Sequence, residues 1–549
     1  MRRRSALLVV AALALVAVVA VVGIVVLRPA TPTTAGGAPL FVDDTVASGL
    51  AHRYDGPDTF QVGGGLAVFD CNGDRRPDLY LAGGARPAAL FRNVSATGGP
   101  LRFERVSSPA TDLDRVNGAY PIDIDGDARV DLAVLRAGEN VLLRGTGGCS
   151  FERSNEAFGF AADEGLTTAF SATWEGSAGL PTLAIGRYLE LDASGVRSST
   201  CDVSELLRPG PQRSAYGPAI SLAPGYCALS MLFSDWDGSG RRDLRVSNDR
   251  EWYTDGMEQL WRMAADEPPS LYTADDGWVS LQIWGMGIAS QDLTGDRLPE
   301  VYLTSQADNK LQTLTAGAAQ PTYRDIALRR GVTSAQPFAG GQHLPSTAWH
   351  PEFADVNNDG FMDLLVTKGN VGAQVDYATL DPNDLFIGQP DGTFVNAADT
   401  AGILRYDRGR GASLADLNLD GLLDLVVVNY GTDAVVWRNV GTGTPTSPAA
   451  MGHWVMLDLE QPGPNIDAIG AQVEMRIGDL RMTRERTIGG GHVGGQLGWM
   501  HVGLGPADEA SVRVTWPDGE VGPWLKAAAD GFWLIQRDPP KIVPWSPKG

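Results

Sequence analysis

Residues 353–366, Phe353-Ala-Asp-Val-Asn-Asn-Asp-Gly-Phe-Met-Asp-Leu-Leu-Val366, crowd three aspartates and two asparagines against an apolar run with the composition of a buried strand. Asp355, Asn357, Asp359 and Asp363 stand at positions 1, 3, 5 and 9 of a loop, with Gly360 at position 6. Like charges packed this way repel unless a cation sits between them. The spacing is that of an oxygen cage for a hard cation such as calcium. Side chains come from 1, 3, 5 and 9, a backbone carbonyl comes from 7, and glycine permits a sharp turn. An EF-hand would need a bidentate Glu at position 12 and a flanking helix on each side. Position 12 is Val366, inside the apolar run. The cage therefore lies between strands.

The pattern recurs five times. Asp70, Asn72, Asp74 and Asp78 form the first copy, and Asp123, Asp125, Asp127 and Asp131 the second. Asp235, Asp237, Ser239 and Asp243 follow, with serine at position 5, then Asp292, Thr294, Asp296 and Glu300. Asp416, Asn418, Asp420 and Asp424 come last. Position 12 is apolar in every copy: Leu81, Val134, Val246, Leu303, Val366 and Val427. Loop starts lie 53, 112, 57, 63 and 61 residues apart, so one interval is about twice the others. A degenerate copy is expected in that gap, and residues 170–185 keep a turn and a following apolar run without the acids. The reading is thus seven repeats of about 58 residues, six able to bind metal, with up to six calcium ions.

Each repeat has four strand-like pieces. A glycine-rich lead-in (GGGLAVFD, GMGIASQD, GRGASLAD) precedes the loop, and DLYLAGG, DLLVTKG or DLVVVNYG follows it. A third run (ALFRN, NVLLRG, QLWRM, DLFIG, AVVWRN) and an aromatic-led fourth (LRFERV, CSFERS, TYRDIA, GTFVNA) complete the unit. Four short strands per repeat predict one blade of a β-propeller. A stacked solenoid accommodates the same repeats, but closure into a ring hides the strand edges. Phe41-Val-Asp-Asp-Thr45 matches a fourth strand yet precedes the first loop, so it is expected to complete the last blade and latch the ring. The fold expected is all-β: a seven-bladed propeller over 40–445, then a smaller β-sandwich over 450–540. In the latter, His453–Glu460, Gln472–Ile477 and Ser511–Trp516 alternate apolar and polar residues.

Arg2-Arg3-Arg4 precede an uncharged run of 22 residues, Ala6–Leu27, closed by Arg28-Pro29. As a helix it would extend about 33 Å, enough to span a bilayer and long for a cleaved signal. Residues 1–29 are read as a signal-anchor or a signal peptide and 30–39 as a linker. Either reading exports the remainder, so the expected location is extracytoplasmic, membrane-anchored by this helix or secreted. The net charge of −22 argues against a nucleic-acid partner. The six loops hold 19 of the 66 acids, so metal accounts for much of that charge. Four cysteines in an exported chain permit two disulfides. Cys201 and Cys227 share one irregular stretch and are the preferred pair, leaving Cys71 with Cys149.

These repeats resemble the FG-GAP/VCBS calcium repeats of the integrin α-type propeller. Residues 465–471 (NIDAIGA), 501–505 (HVGLG) and 514–519 (VTWPDG) resemble the ASPIC/UnbV domain. Together they resemble the cartilage acidic protein family and its bacterial relatives. That resemblance implies calcium-stabilised extracellular binding or adhesion. The chain departs from the family pattern in two places. Gly491-His492-Val-Gly494-Gly495-Gln496 stands where the family has Gly-Tyr-x-Ser-Gln-Ser, and Ala215 stands where it has cysteine.

No nucleophile elbow, P-loop or dinucleotide fingerprint is present. His343 and His350 flank the lead-in to the fifth acidic loop and are the candidates for acid–base or metal chemistry at the ring's mouth. Trp174, Trp236, Trp252, Trp261, Trp278, Trp284 and Trp349 could build a sugar- or peptide-stacking surface, though blade core claims most of them. Residues 190–228 interrupt the blade rhythm and read as an ordered loop on one face, a usual place for partner binding. The function expected is a non-enzymatic protein- or glycan-binding or adhesion module. The alternative is an extracytoplasmic enzyme or maturation factor using the propeller funnel.

Overall fold

The computed structural model describes residues 36–547, except 162–163, 177–178, 193–194, 213, 250–255, 266, 280, 316–318, 335–343 and 373. The apolar run Ala6–Leu27, His343 and Trp252 lie outside the described residues. Among the described residues no helix is long and apolar enough to cross a membrane.

The chain is all-β and propeller-like. Among the described residues, seven antiparallel four-stranded sheet units follow one another along it. The second and third are joined into one eight-stranded sheet by Asp131–Glu139 pairing with Glu164–Thr173, and the first gains Gly495–Gln496 as a parallel fifth strand. The acidic loops join the first and second strands of their sheets; in the first sheet these are Leu66–Phe69 and Asp78–Leu81. The first strands contact one another in cyclic order, and that of the seventh sheet, Gly409–Ala415, touches that of the first. The latch forms as expected: Phe41–Asp43 pairs with Val435–Asn439 as the fourth strand of the seventh sheet. The degenerate copy also forms, with Glu164–Thr173 paired to Thr182–Arg187. First strands buried along their whole length, such as Leu66–Phe69 and Ala228–Ser234, explain the apolar lead-ins. Trp174, Trp236, Trp261, Trp278 and Trp349 are buried, so they offer no stacking surface.

The stretch 190–228 differs from its reading as a face loop. It contains the third and fourth strands of the third sheet, Glu205–Leu207 and Ile220–Ser221, plus the side hairpin formed by Leu189–Leu191 and Arg197–Cys201. Disulfide Cys201–Cys227 fixes it as expected, and Cys71–Cys149 joins the first acidic loop to the second sheet.

The C-terminal part is two four-stranded sheets around a shared core of Val455, Leu457, Val473, Met475, Val502 and Val512. Val473, Met475 and Ile477 point inward from Gln472–Ile477, matching the alternation. The final strand, Lys541–Trp545, carries the domain beyond the expected boundary at 540.

One segment of this domain leaves its sheets. Residues 488–496 run along the ring axis and bond to the first strand of every sheet. Ile488 accepts from Ala172 N (3.2 Å) and Ser171 Oγ (2.6 Å). Gly490 donates to Met231, Gly491 to Ile288, and His492 N–H to His350 Nδ1 (3.1 Å). Gly494 bridges Ala119, Gly495 pairs with Ala67, and Gln496 accepts from Ser413 Oγ (3.4 Å). The glycine-rich lead-ins make room for this plug. A β-carbon on Gly65 or Gly118 would overlap the carbonyl oxygen of Val493.

Candidate metal centres

Each acidic loop is folded by its own carboxylates. The first acid caps the turn by accepting backbone amides. Asp70 takes those of Gly73 (2.7 Å) and Arg75 (2.6 Å), and Asp123 those of Gly126 (2.8 Å) and Ala128 (2.9 Å). The amide at position 6 bonds the first acid in all six loops. Positions 4 and 6 both lie in the left-handed region throughout. Gly73 (φ 82°) and Arg75 (φ 61°) occupy them in the first loop, Leu419 (φ 58°) and Gly421 (φ 83°) in the last. Glycine fills one or both of the two.

The ninth acid is tied differently. In four loops one of its oxygens accepts the amide of position 2 and the other that of a residue at or near the end of the third strand. Asp78 bonds Cys71 and Asn93 (2.8 and 2.7 Å), and Asp131 bonds Ile124 and Gly145 (2.8 and 2.7 Å). Asp363 bonds Val356 and Gly388 (2.8 Å each), and Asp424 bonds Leu417 and Asn439 (3.0 and 2.9 Å). Glu300 does the same with Leu293 N (2.8 Å) and Thr313 Oγ1 (2.7 Å). Sequence spacing missed this second role. Its signal was the terminal Asn or Gly of ALFRN, NVLLRG, DLFIG and AVVWRN.

An oxygen with one amide keeps a lone pair for a cation. The electrostatics call for one. Burial drives the carboxyls of Asp78 and Asp131 up to about 8. Burial, then the field of Asp467, then that of Asp125 drive Asp123 up to about 7. Asp355 and Asp363 in the fifth loop, and Asp416 and Asp424 in the last, are pushed well above the carboxylate range, first by burial and then by neighbouring loop acids: Asp359 for Asp355, Asp355 and Asp359 for Asp363, Asp420 for Asp416, and Asp420 and Asp416 for Asp424. In the second loop oxygens of Asp123, Asp125 and Asp131 converge within 4.8 Å. Asp125 Oδ1 there and Asn418 Oδ1 in the last loop, both at position 3, are buried without a hydrogen-bond partner. Orphaned acceptors among mutually repelling acids fit a hard cation. In the second loop the Arg144 guanidinium also pairs with Asp125 (2.6 Å) and Asp127 (2.9 Å).

The C-terminal domain lies on the acidic-loop face. Arg75 of the first loop pairs with Asp458 and Glu460, and Trp499 Nε1 donates to the Arg75 carbonyl (3.1 Å). Arg297 of the loop starting at Asp292 pairs with Glu474 (2.5 Å), and Gly505 N–H donates to the carbonyl of Asn358 (2.9 Å). Between domain and ring lies a cavity of about 1010 Å³ whose lining includes the first acids Asp70, Asp123, Asp292 and Asp416. His350 lines it too, but both its nitrogens are engaged. Nδ1 accepts from His492 N–H, so Nε2 carries the proton toward Glu352 (3.3 Å). Below, Arg410 stacks on Trp349 (4.2 Å) and donates to the carbonyls of Gln61, Gly369 and Gly409. Burial first, then Arg408, pulls its pKa down to about 9.

The family model described as ASPIC and UnbV matches residues 461–541, so the chain carries that domain. Cartilage acidic protein 1 of Homo sapiens is 50% identical over 222 residues, 37% of this chain and 30% of that protein. The same protein of Mus musculus is 28% identical over 229 residues, 37% and 31% of the two chains. The chain thus spans about a third of the length of these relatives. Among solved structures, BBS1N in complex with ARL6DN aligns with a TM-score of 0.40 and 11% identity over 75% of this chain and 100% of that one.

Proposed function

We propose that this ASPIC/UnbV-domain chain is an extracytoplasmic, closed seven-bladed propeller whose acidic loops hold calcium, and that it works as a non-enzymatic module binding a protein or glycan. The observation that carries the calcium reading is the set of buried, mutually repelling carboxylates with orphaned acceptors at position 3. When bound, calcium supplies the charge that keeps these acids ionised. In the second loop Asp123, Asp125 and Asp131 would hold it. In the last, Asp416, Asn418, Asp420 and Asp424 would do so. The chain's own amides keep the carboxylates aimed inward.

Two features weigh for binding over the funnel-enzyme alternative. The axis is filled by residues 488–496, and both nitrogens of His350 are already engaged within the fold, by His492 N–H and by Glu352. Cartilage acidic protein similarity supports an extracellular setting. The apolar run Ala6–Leu27 is proposed as the export signal or anchor.

The test is thermal melting of the chain in millimolar calcium and again in chelator. A large fall in melting temperature on chelation is expected. An unchanged melt would remove the calcium reading, and the cavity would then have to be tested for catalysis.

A further inference from the structure

We propose that the loop beginning at Asp235 is not a calcium site: Arg241 and the sheet's own donors saturate its ninth acid, and the loop serves as a metal-independent clamp for the C-terminal domain. This rests on the calcium reading of the other five loops.

Asp243, the ninth acid, is held by five donors. Oδ1 accepts Met263 N (2.8 Å) and Arg241 Nε (2.8 Å). Oδ2 accepts Trp236 Nε1 (2.8 Å), Tyr272 OH (2.8 Å) and Arg241 Nη2 (3.1 Å). Two carboxylate oxygens offer about four lone-pair sites, so none is left for a metal. In the other five loops the donor from position 2 is a backbone amide; here it is the Trp236 indole. The guanidinium is bidentate, the strongest way to neutralise a carboxylate. Position 5 is Ser239, so a second carboxylate is missing. Arg241 Nη2 also lies 3.9 Å from Asp237. Asp235 accepts one loop amide, that of Gly240 (2.9 Å), and its Oδ1 has no partner. What remains is two acids and a serine.

The same loop grips the C-terminal domain. Glu485 accepts the Asp235 amide (3.1 Å) and the Ser234 hydroxyl (3.0 Å). Arg242 Nη2 donates to the carbonyl of Pro517 (3.1 Å). None of these bonds needs a metal, so this contact should survive chelation.

The experiment counts calcium ions per chain by equilibrium dialysis of the full chain, stripped by chelator and reloaded, for the wild type, Asp237→Asn, Asp243→Asn and Asp363→Asn. Asp363→Asn is expected to lose one ion. Asp237→Asn and Asp243→Asn are expected to lose none, and Asp243→Asn to lower the melting temperature equally with calcium and with chelator. Asp237 is partly exposed, so its variant remains informative if Asp243→Asn does not fold. Loss of one ion in Asp237→Asn would overturn the proposal while leaving the calcium reading intact. A wild type that binds no calcium would remove both.

Discussion

Ala128 shows how much a single loop residue carries. It sits at position 6 of the second loop with φ 64°, where its amide must reach Asp123. A side chain in this conformation costs about 1–2 kcal/mol that glycine avoids, less the entropy glycine loses on folding. Ala128 is exposed, so no packing is lost. Ala128→Gly is expected to stabilise by about 1 kcal/mol, read from denaturant melts. The buried acids set a pH dependence at the same scale. Without calcium, Asp78 and Asp131 hold protons up to about 8 in the folded chain. The unfolded chain releases them near about 4. The folded state therefore binds more protons across that window, and stability falls as pH rises through it. Melts in chelator are expected to be higher at pH 5 than at pH 8. Saturating calcium, which favours the ionised form, should abolish that fall.

Among the elements, the third strand was legible as a strand but not as part of a cage. A residue at or near its end holds the ninth acid, and where that residue is asparagine it reaches further. Asn93 Nδ2 donates to the Leu417 carbonyl of the last loop (2.7 Å), and Asn439 Nδ2 to the Val356 carbonyl of the fifth (2.9 Å). Neighbouring loops are thereby tied in series. The latch strand was legible because its aromatic-led pattern stood before the first repeat instead of after the last. Phe41 is 3% exposed and packs with Leu425, Val435 and Trp437. Phe41→Ala is expected to cost about 3–5 kcal/mol. It should also expose the Val435–Asn439 edge, read as faster amide exchange in that strand.

Across the whole molecule, the plug joins ring and C-terminal domain into one packed body. Gly118 lies where a side chain would meet the backbone of Val493, which cannot give way. Gly118→Val is expected to cost about 3 kcal/mol or more by overpacking, and to loosen the C-terminal domain from the ring in limited proteolysis. Asp235→Asn changes a side chain at the clamp, while the Glu485 contact uses the backbone amide, so docking should persist in that variant.

The sequence by itself determined the repeat count, the strand order, the latch, one disulfide and the acidic loops. All of these follow from local spacing, because strand period, turn chemistry and cage positions are set within about a dozen residues. The tertiary structure alone decided where the glycine-rich lead-ins face, what fills the axis, and which face the C-terminal domain covers. It also decided which ninth acid is taken by an arginine. Those outcomes depend on residues hundreds of positions apart meeting in space, as Val493 meets Gly118 and Glu485 meets Asp235, and no local period encodes such a meeting.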